Sequence, residues 1–146
     1  MRVADCMSRK LTWIHPSMPV LEAARRMSEL GIGCLPVGEG GQLLGMITDR
    51  DIVSRSVVKC LHPNRTHVRD VMTTGAVWCS EDQTALEAAE IIRSRGLRRL
   101  PVLDGEKTVV GLISLDDLCG MIPDNVVVTA LQAIIGARGA SASESA

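Results

Sequence analysis

The sequence predicts an α/β (α+β) fold built from two copies of one β-α-β-β-α unit, followed by a C-terminal helix. The chain matches itself at an offset of 65 residues, which becomes 66 after one extra residue in the second copy. Collinear matches over about fifty residues indicate a duplicated structural unit. The repeated segments are LEAA (21–24 and 86–89), LPV (35–37 and 100–102) and GMITDRD with its counterpart GLISLDD (45–51 and 111–117).

Helix signals and apolar runs occur in the same order in both copies. Pro19 is typical of the first turn of a helix, and Thr84-x-x-Glu87 is a capping box. Gly31 and Gly96 fit the C-terminal caps of these two helices. Short apolar runs predict the strands, and a second helix is expected to begin near Thr48 and Ser114. The predicted strands are LTWI and AVWC, CLPV and RLPV, LLGMIT and TVVGLIS.

These signals divide the chain into five segments. The linker KCLHPNRTH contains Pro and Asn, an apolar stripe follows Pro123, and the last residues are small and polar. The predicted segments are the first repeat (1–58), a linker (59–67), the second repeat (68–122), a C-terminal helix (123–136) and a disordered tail (137–146).

Composition argues against several classes of protein. The formal net charge is −1 and only two aromatic residues occur, which does not favour a nucleic-acid or membrane-surface binder. The basic run at 93–99 is more typical of a solvated helix end. No run approaches the ~20 apolar residues of a membrane span, and no signal core precedes the first repeat. We therefore expect a cytoplasmic protein.

Reactive side chains show no catalytic or metal-binding spacing. The five cysteines include no CxxC pair, and the three histidines lie in linker-like positions. No nucleophile has a base and an orienting group at a recognisable spacing. The sequence therefore predicts free thiols, no metal site and a protein that is not an enzyme.

The doubled order of elements, with LPV before a Gly-x-x-[Thr/Ser]-x-x-Asp stretch, resembles the CBS-domain family, and specifically a stand-alone tandem CBS pair (a Bateman module). The resemblance covers about residues 3–122. It implies two repeats related by pseudo-two-fold symmetry that bind an adenosyl ligand such as AMP, ADP, ATP or S-adenosylmethionine between them. It also implies a homodimer that regulates a separate protein, with no cofactor required beyond the regulatory ligand.

The motifs Thr48-x-x-Asp51 and Ser114-x-x-Asp117 fit two interpretations, which the sequence leaves open. They fit capping boxes that only stabilise the start of a helix. They also fit a ligand site, because a helix start offers N–H groups to phosphate and an aspartate accepts ribose hydroxyls. In the family, this hydroxyl and this aspartate hold the nucleotide.

The resemblance also implies that each motif faces the opposite repeat, and that the two clefts differ in charge. Arginine forks suit phosphate oxygens, so we expect the first cleft to be the better nucleotide site. The second cleft has no basic residue at the equivalent positions, and we expect it to bind nucleotide more weakly. The first cleft comprises Thr48, Asp51, Trp78, Cys79, Leu97, Arg98 and Arg99, and the second comprises Ser114, Asp117, Trp13, Ile14, Gly33 and Cys34.

Two functions are compatible with these residues. The first is a sensor in which an adenosyl ligand alters the contact with an unknown regulated protein. The alternative is a ligand-independent dimeric interaction or stress-response scaffold, in which the motifs are helix caps and the thiols could give a redox response.

Overall fold

Each repeat is completed by a segment that the sequence assigns to the other repeat. The structure is a computed structural model that describes residues 1–145, with side chains described as far as Arg138. One unit comprises Thr12–Ala76, and the other combines Met1–Leu11 with Val77–Ala146. The spatial units differ from the contiguous sequence repeats at both N-terminal segments, since residues 1–11 pack with the second repeat and residues 68–76 with the first.

The unit Thr12–Ala76 contains two helices and three strands. They are α2 (Val20–Leu30), β1 (Cys34–Glu39), β2 (Gln42–Thr48), α3 (Asp49–Ile52) with a π-helical turn (Val53–Val57), a 3₁₀ turn (Val68–Asp70) and β3 (Thr73–Thr74). The sheet has the order β1-β2-β3, with antiparallel pairing throughout, and Ile14 adds an isolated parallel bridge to Val37. The apolar core is formed by Ile14, α2, β1, β2 and the segment of Val68 and Val71.

The second unit repeats this plan. Its sheet has the order β4-β5-β6, with β4 parallel and β6 antiparallel to β5. Ser8 forms an isolated bridge to Leu112, at the position where Thr73 pairs with Met46 in the other unit. The elements are α1 (Val3–Cys6), β4 (Cys79–Ser80), α4 (Ala85–Arg95), β5 (Arg99–Leu103), β6 (Val109–Ser114), α5 (Leu115–Leu118) and α6 (Asp124–Ser145).

The predicted helix ends agree closely with the structure. The Thr84–Glu87 capping box is present, and Gly31 and Gly96 both adopt the left-handed conformation as C-terminal caps. Pro19 lies one residue earlier than predicted, at the N-cap of α2, where it offers no side-chain hydrogen bond. The predicted LTWI strand is reduced to the bridge at Ile14.

The second helices of the two repeats differ in length. After α3, the chain continues through the π-helical turn to Val57. In the other repeat, α5 ends at Leu118, and Gly120 adopts a φ of 81°. The chain leaves the helix at Cys119, which is extended, and Gly120 then allows the turn because residues with a Cβ rarely adopt a positive φ. The first repeat therefore has one more helical turn, which includes Arg55.

The C-terminal helix is longer than the sequence predicts. Its backbone is helical from Asp124 to Ser145, so the predicted end at residue 136 and the predicted disordered tail over 137–146 are corrected for residues 137–145. Ala146 lies outside the described residues. The helix packs on the end of α4, where a Cβ on Gly96 would lie 2.6 Å from Ala137. This packing and the high helix propensity of alanine favour continuation past residue 136.

Candidate functional site

Both predicted motifs form complete capping boxes at the start of a short helix. In the first, Thr48 Oγ1 accepts from the Asp51 amide at 3.0 Å, and Asp51 Oδ2 accepts from the Thr48 amide at 3.0 Å. In the second, Ser114 Oγ and Asp117 Oδ2 make the same pair of bonds at 3.1 and 2.8 Å. The helix-capping interpretation is therefore confirmed at both motifs, and it fixes each aspartate carboxylate at the first turn.

The two hydroxyl groups differ in how their protons are used. Ser114 Oγ also lies 2.9 Å from Asp117 Oδ2 and can donate to it. The Thr48 hydroxyl donates to no acceptor within the described part of the chain. The Thr48 hydroxyl can therefore donate a hydrogen bond to a ligand, whereas the Ser114 hydroxyl already donates to Asp117.

Asp51 is buried and is contacted by Thr73, the first residue of β3. Thr73 Oγ1 lies 3.5 Å from Asp51 Oδ1 and 3.4 Å from Asp51 Oδ2. Arg55 lies one helical turn after Asp51, with Nη1 at 3.7 Å from Oδ1. Sequence reasoning missed both neighbours: Thr73 is distant in the chain, and the second repeat has Met121 where the first has Arg55.

Asp117 has a different environment. Burial, and to a smaller extent the charges of Asp117 and Asp5, raise the pKa of the nearby Cys6 thiol. Burial, with a smaller contribution from Cys6, raises the pKa of Cys79 to about 12. Because the thiolate is the reactive form, these two cysteines are poor nucleophiles at neutral pH.

Arg98 and Arg99 contact the second motif within their own unit. Arg98 Nη2 forms an ion pair with Asp116 at 2.8 Å, and the Leu115 amide donates to the Arg98 carbonyl at 3.0 Å. Arg99 pairs with Ser114 in the β5–β6 ladder. The predicted role of these arginines opposite Thr48 and Asp51 combines residues of both units and stays a prediction.

Gly33 and Cys34 take the equivalent positions beside the first motif. The Asp49 amide donates to the Gly33 carbonyl at 2.9 Å, and Cys34 pairs with Thr48 in the β1–β2 ladder. A Cβ on Gly33 would lie 2.9 Å from Asp49 Oδ2, so the aspartate side chain uses the space that Arg98 fills in the other copy. Their predicted role opposite Ser114 and Asp117 is likewise untested.

The apolar residues of the two predicted clefts differ in exposure. Trp13 lies directly against Gly38, whereas Trp78 is 40% exposed. The side chains of Ile14 and Cys79 are buried in the two cores. Only the backbone groups of these two residues can therefore contact a ligand. Leu97 is exposed. Trp13 is half-buried, so Trp78 is the aromatic side chain with the larger free surface for stacking.

Within the described residues, no group of three or more His, Cys, Asp or Glu side chains is placed to hold a metal ion. None of the helices in the described part is long and apolar enough to cross a bilayer.

The family model of the CBS domain matches the chain twice, at residues 3–57 and 68–124. The two capped motifs and the duplicated sheets fall within these ranges. The chain therefore belongs to the CBS-domain family and contains a tandem pair of these domains.

Individual relatives agree with this assignment. The CBS domain-containing protein YhcV of Bacillus subtilis (strain 168) is 34% identical over 116 residues, which is 80% of this chain and 81% of YhcV. The CBS domain pair of protein MJ0100, solved with 5′-methylthioadenosine and S-adenosyl-L-methionine, has a TM-score of 0.70 and 26% identity, covering 83% of this chain and 94% of that one. CBSX2 in complex with AMP has a TM-score of 0.72 at 23% identity, covering 82% and 94%.

Proposed function

We propose that this protein is a non-catalytic, cytoplasmic regulatory module that binds an adenosyl ligand through its Thr-x-x-Asp and Ser-x-x-Asp motifs and modulates a separate protein. One observation carries the proposal: a hydroxyl and a carboxylate are held in the same capped geometry in both repeats. The adenosyl compounds bound by the CBS pairs of MJ0100 and CBSX2 support the class of ligand.

The first motif is the proposed main site. Asp51 would accept hydrogen bonds from the ribose hydroxyls, and Thr48 would donate to the ribose or to a phosphate. The free donor of Thr48 favours this motif over the second, where Ser114 already donates to Asp117. Arg98 and Arg99 are the proposed phosphate ligands, and Trp78 is the proposed stacking surface for adenine.

The two tryptophans provide a direct test because the chain has no other aromatic residue. We expect AMP to quench the intrinsic fluorescence of a Trp13→Leu variant, which retains exposed Trp78. The reciprocal Trp78→Leu variant should show little quenching, since Trp13 is packed on Gly38. AMP, ADP, ATP, NAD and S-adenosylmethionine should be titrated separately. Absence of quenching and of thermal stabilisation with all five at millimolar concentration would contradict the proposal.

Homodimer formation is part of the proposal. The turn after α3 exposes Val53, Val57 and Val58, the last two by 64% and 70%. Apolar side chains this exposed on one helical turn favour burial against another surface. We expect light scattering at micromolar concentration to give twice the monomer mass of 15.7 kDa. A Val57→Glu variant should shift toward monomer, and Leu30→Glu, at the end of α2, should not. A monomeric wild-type protein would contradict this expectation.

The alternative function is a ligand-independent dimeric interaction or stress-response scaffold. It is favoured by the fact that the capping boxes satisfy both motifs without a ligand. A thiol-responsive version would depend on Cys60 and Cys119, the two exposed cysteines, since Cys6 and Cys79 have raised pKa values.

A further inference from the structure

The hydroxyl of Thr73 lies in front of the Asp51 carboxylate. Its distances to the two carboxylate oxygens, 3.5 and 3.4 Å, are nearly equal, so Oγ1 lies close to the plane that is equidistant from both oxygens. A vicinal diol that donates one hydrogen bond to each oxygen is centred on that same plane. Both contacts are long for an O–H···O bond, which has a usual distance of ~2.7–2.8 Å. The interaction is therefore weak enough to be exchanged for another donor.

Arg55 holds Thr73 in this place. Its Nη1 lies 3.0 and 3.1 Å from the carbonyl oxygens of Val71 and Met72 and 3.2 Å from Thr73 Oγ1, and these three acceptors share its two N–H hydrogens. The same guanidinium nitrogen lies 3.7 Å from Asp51 Oδ1. Arg55 lies in the π-helical turn, a feature that is frequent at functional sites. Residues 71–73, which lead into β3 and begin it, are thus held beside the carboxylate by three contacts with Arg55.

We propose that Thr73, positioned by Arg55, is an internal competitor for the ribose hydroxyls at Asp51. This proposal rests on the proposed adenosyl site at the first motif. It adds that Thr73 lowers the affinity of that motif for its ligand. A ribose that binds Asp51 displaces the Thr73 hydroxyl. The measured affinity of the first motif then depends on the difference between two interactions with Asp51: the one made by the ribose hydroxyls and the one made by Thr73.

The second motif lacks this competitor. Ser8 stands at the position equivalent to Thr73, and its hydroxyl makes no hydrogen bond within the described part of the chain. Met121 replaces Arg55, so no guanidinium fastens the segment. The two copies therefore differ in a control element as well as in their ligand groups.

Displacement of Thr73 has a structural consequence. Thr73 and Thr74 form β3 and pair with Met46 and Gly45 of β2. This strand is the last element of the unit that ends at Ala76. When Thr73 leaves Asp51, the pairing of β3 loses one of its side-chain anchors. Ligand binding at the first motif therefore loosens the segment 71–76.

The test compares Thr73→Val with Thr74→Val. Both replace an exposed threonine of β3 by its β-branched isostere, but Thr74 makes no side-chain hydrogen bond within the described residues. The measurement is calorimetric titration with adenosine and with 2′,3′-dideoxyadenosine, in an Asp117→Asn background that isolates the first motif. We expect Thr73→Val to bind adenosine at least threefold more tightly, with unchanged affinity for the dideoxy analogue, and Thr74→Val to match its parent.

Hydrogen exchange gives a second readout. Arg55→Met introduces the residue found at the equivalent position of the second repeat, and Arg50→Met removes the same charge from an exposed side chain on α3. We expect faster amide exchange over residues 71–76 in ligand-free Arg55→Met, and in the wild type when adenosine is added. Arg50→Met should exchange like the wild type, and Arg55→Lys should restore part of the protection.

The outcomes separate this proposal from the proposed function. Equal adenosine affinity of Thr73→Val and its parent, or slower exchange over 71–76 with adenosine, would overturn the competitor role and leave the site intact. Binding by Thr73→Val but not by its parent would support the competitor role in its strongest form. If neither protein binds adenosine at millimolar concentration, the proposed function fails and the competitor role fails with it.

Discussion

Replacing Gly45 with alanine is expected to lower the free energy of unfolding by about 1–3 kcal/mol, the range typical of overpacking a close contact. A Cβ at this position would overlap the carbonyl oxygen of Thr73 in the paired strand β3. Because the overlapping atom belongs to the backbone, it cannot move aside as the end of a flexible side chain can. The two strands would have to separate at the Gly45–Thr74 pair.

Urea unfolding provides the measurement, and Gly105→Ala provides the matched control. A Cβ on Gly105 would meet no atom within 4 Å, so its substitution should change the free energy of unfolding by less than about 0.5 kcal/mol. Equal stability of Gly45→Ala and Gly105→Ala would show that β3 does not approach β2 as closely as the structure indicates.

The same comparison explains why the motif begins with glycine in both repeats. At Gly111, a Cβ would lie 2.6 Å from Met7 Sδ and 2.8 Å from the Ser8 carbonyl oxygen. Thr73 and Ser8 are equivalent residues of the two repeats. Each glycine therefore leaves room for the backbone of a segment that belongs, in sequence, to the other repeat. The glycine is therefore required by the backbone approach that delivers Thr73 to Asp51.

Much of the fold follows from local signals that the sequence repeats. The helix from Ala85 to Arg95 could be predicted from its capping box and from Gly96, and the structure confirms both ends. The exchange of residues 1–11 and 68–76 between the two units could not, because a short segment shows the same apolar pattern whichever sheet it joins. The choice depends on tertiary packing, such as Ser8 against Leu112.

The local part of the candidate site could also be predicted from the sequence, and its long-range contacts could not. The spacing of Thr48 and Asp51 indicates a capping box, and the structure confirms it. The contact from Thr73 could not be predicted, because it depends on where the chain returns after a linker and on a π-helical turn that directs Arg55 toward that segment. A comparison of the repeats did contain a hint, since Arg55 and Met121 differ sharply in chemistry at equivalent positions.

The largest functional effect is expected for Asp51→Asn, which should weaken adenosine binding by 10- to 100-fold, or about 1.4–2.8 kcal/mol. Asparagine retains a carbonyl oxygen for the Thr48 amide, so the capping box can persist. Asparagine has no negative charge, and its amide NH2 replaces one of the two acceptor oxygens. The NH2 group cannot accept a hydrogen bond from a ribose hydroxyl. Hydrogen bonds to a charged group contribute about 1.5–3 kcal/mol each, which gives the size of the loss.

Two aspartate variants make this result specific. Asp49→Asn removes a charge from the same helical turn, where Asp49 accepts a hydrogen bond from the Arg50 amide. This variant should bind adenosine nearly as well as the wild type. Asp117→Asn should reduce the number of sites or leave the titration unchanged, because Ser114 already donates to that carboxylate. If calorimetry shows equal affinity for Asp51→Asn and the wild type, the first motif is a helix cap without a ligand, and the scaffold alternative then accounts for both repeats.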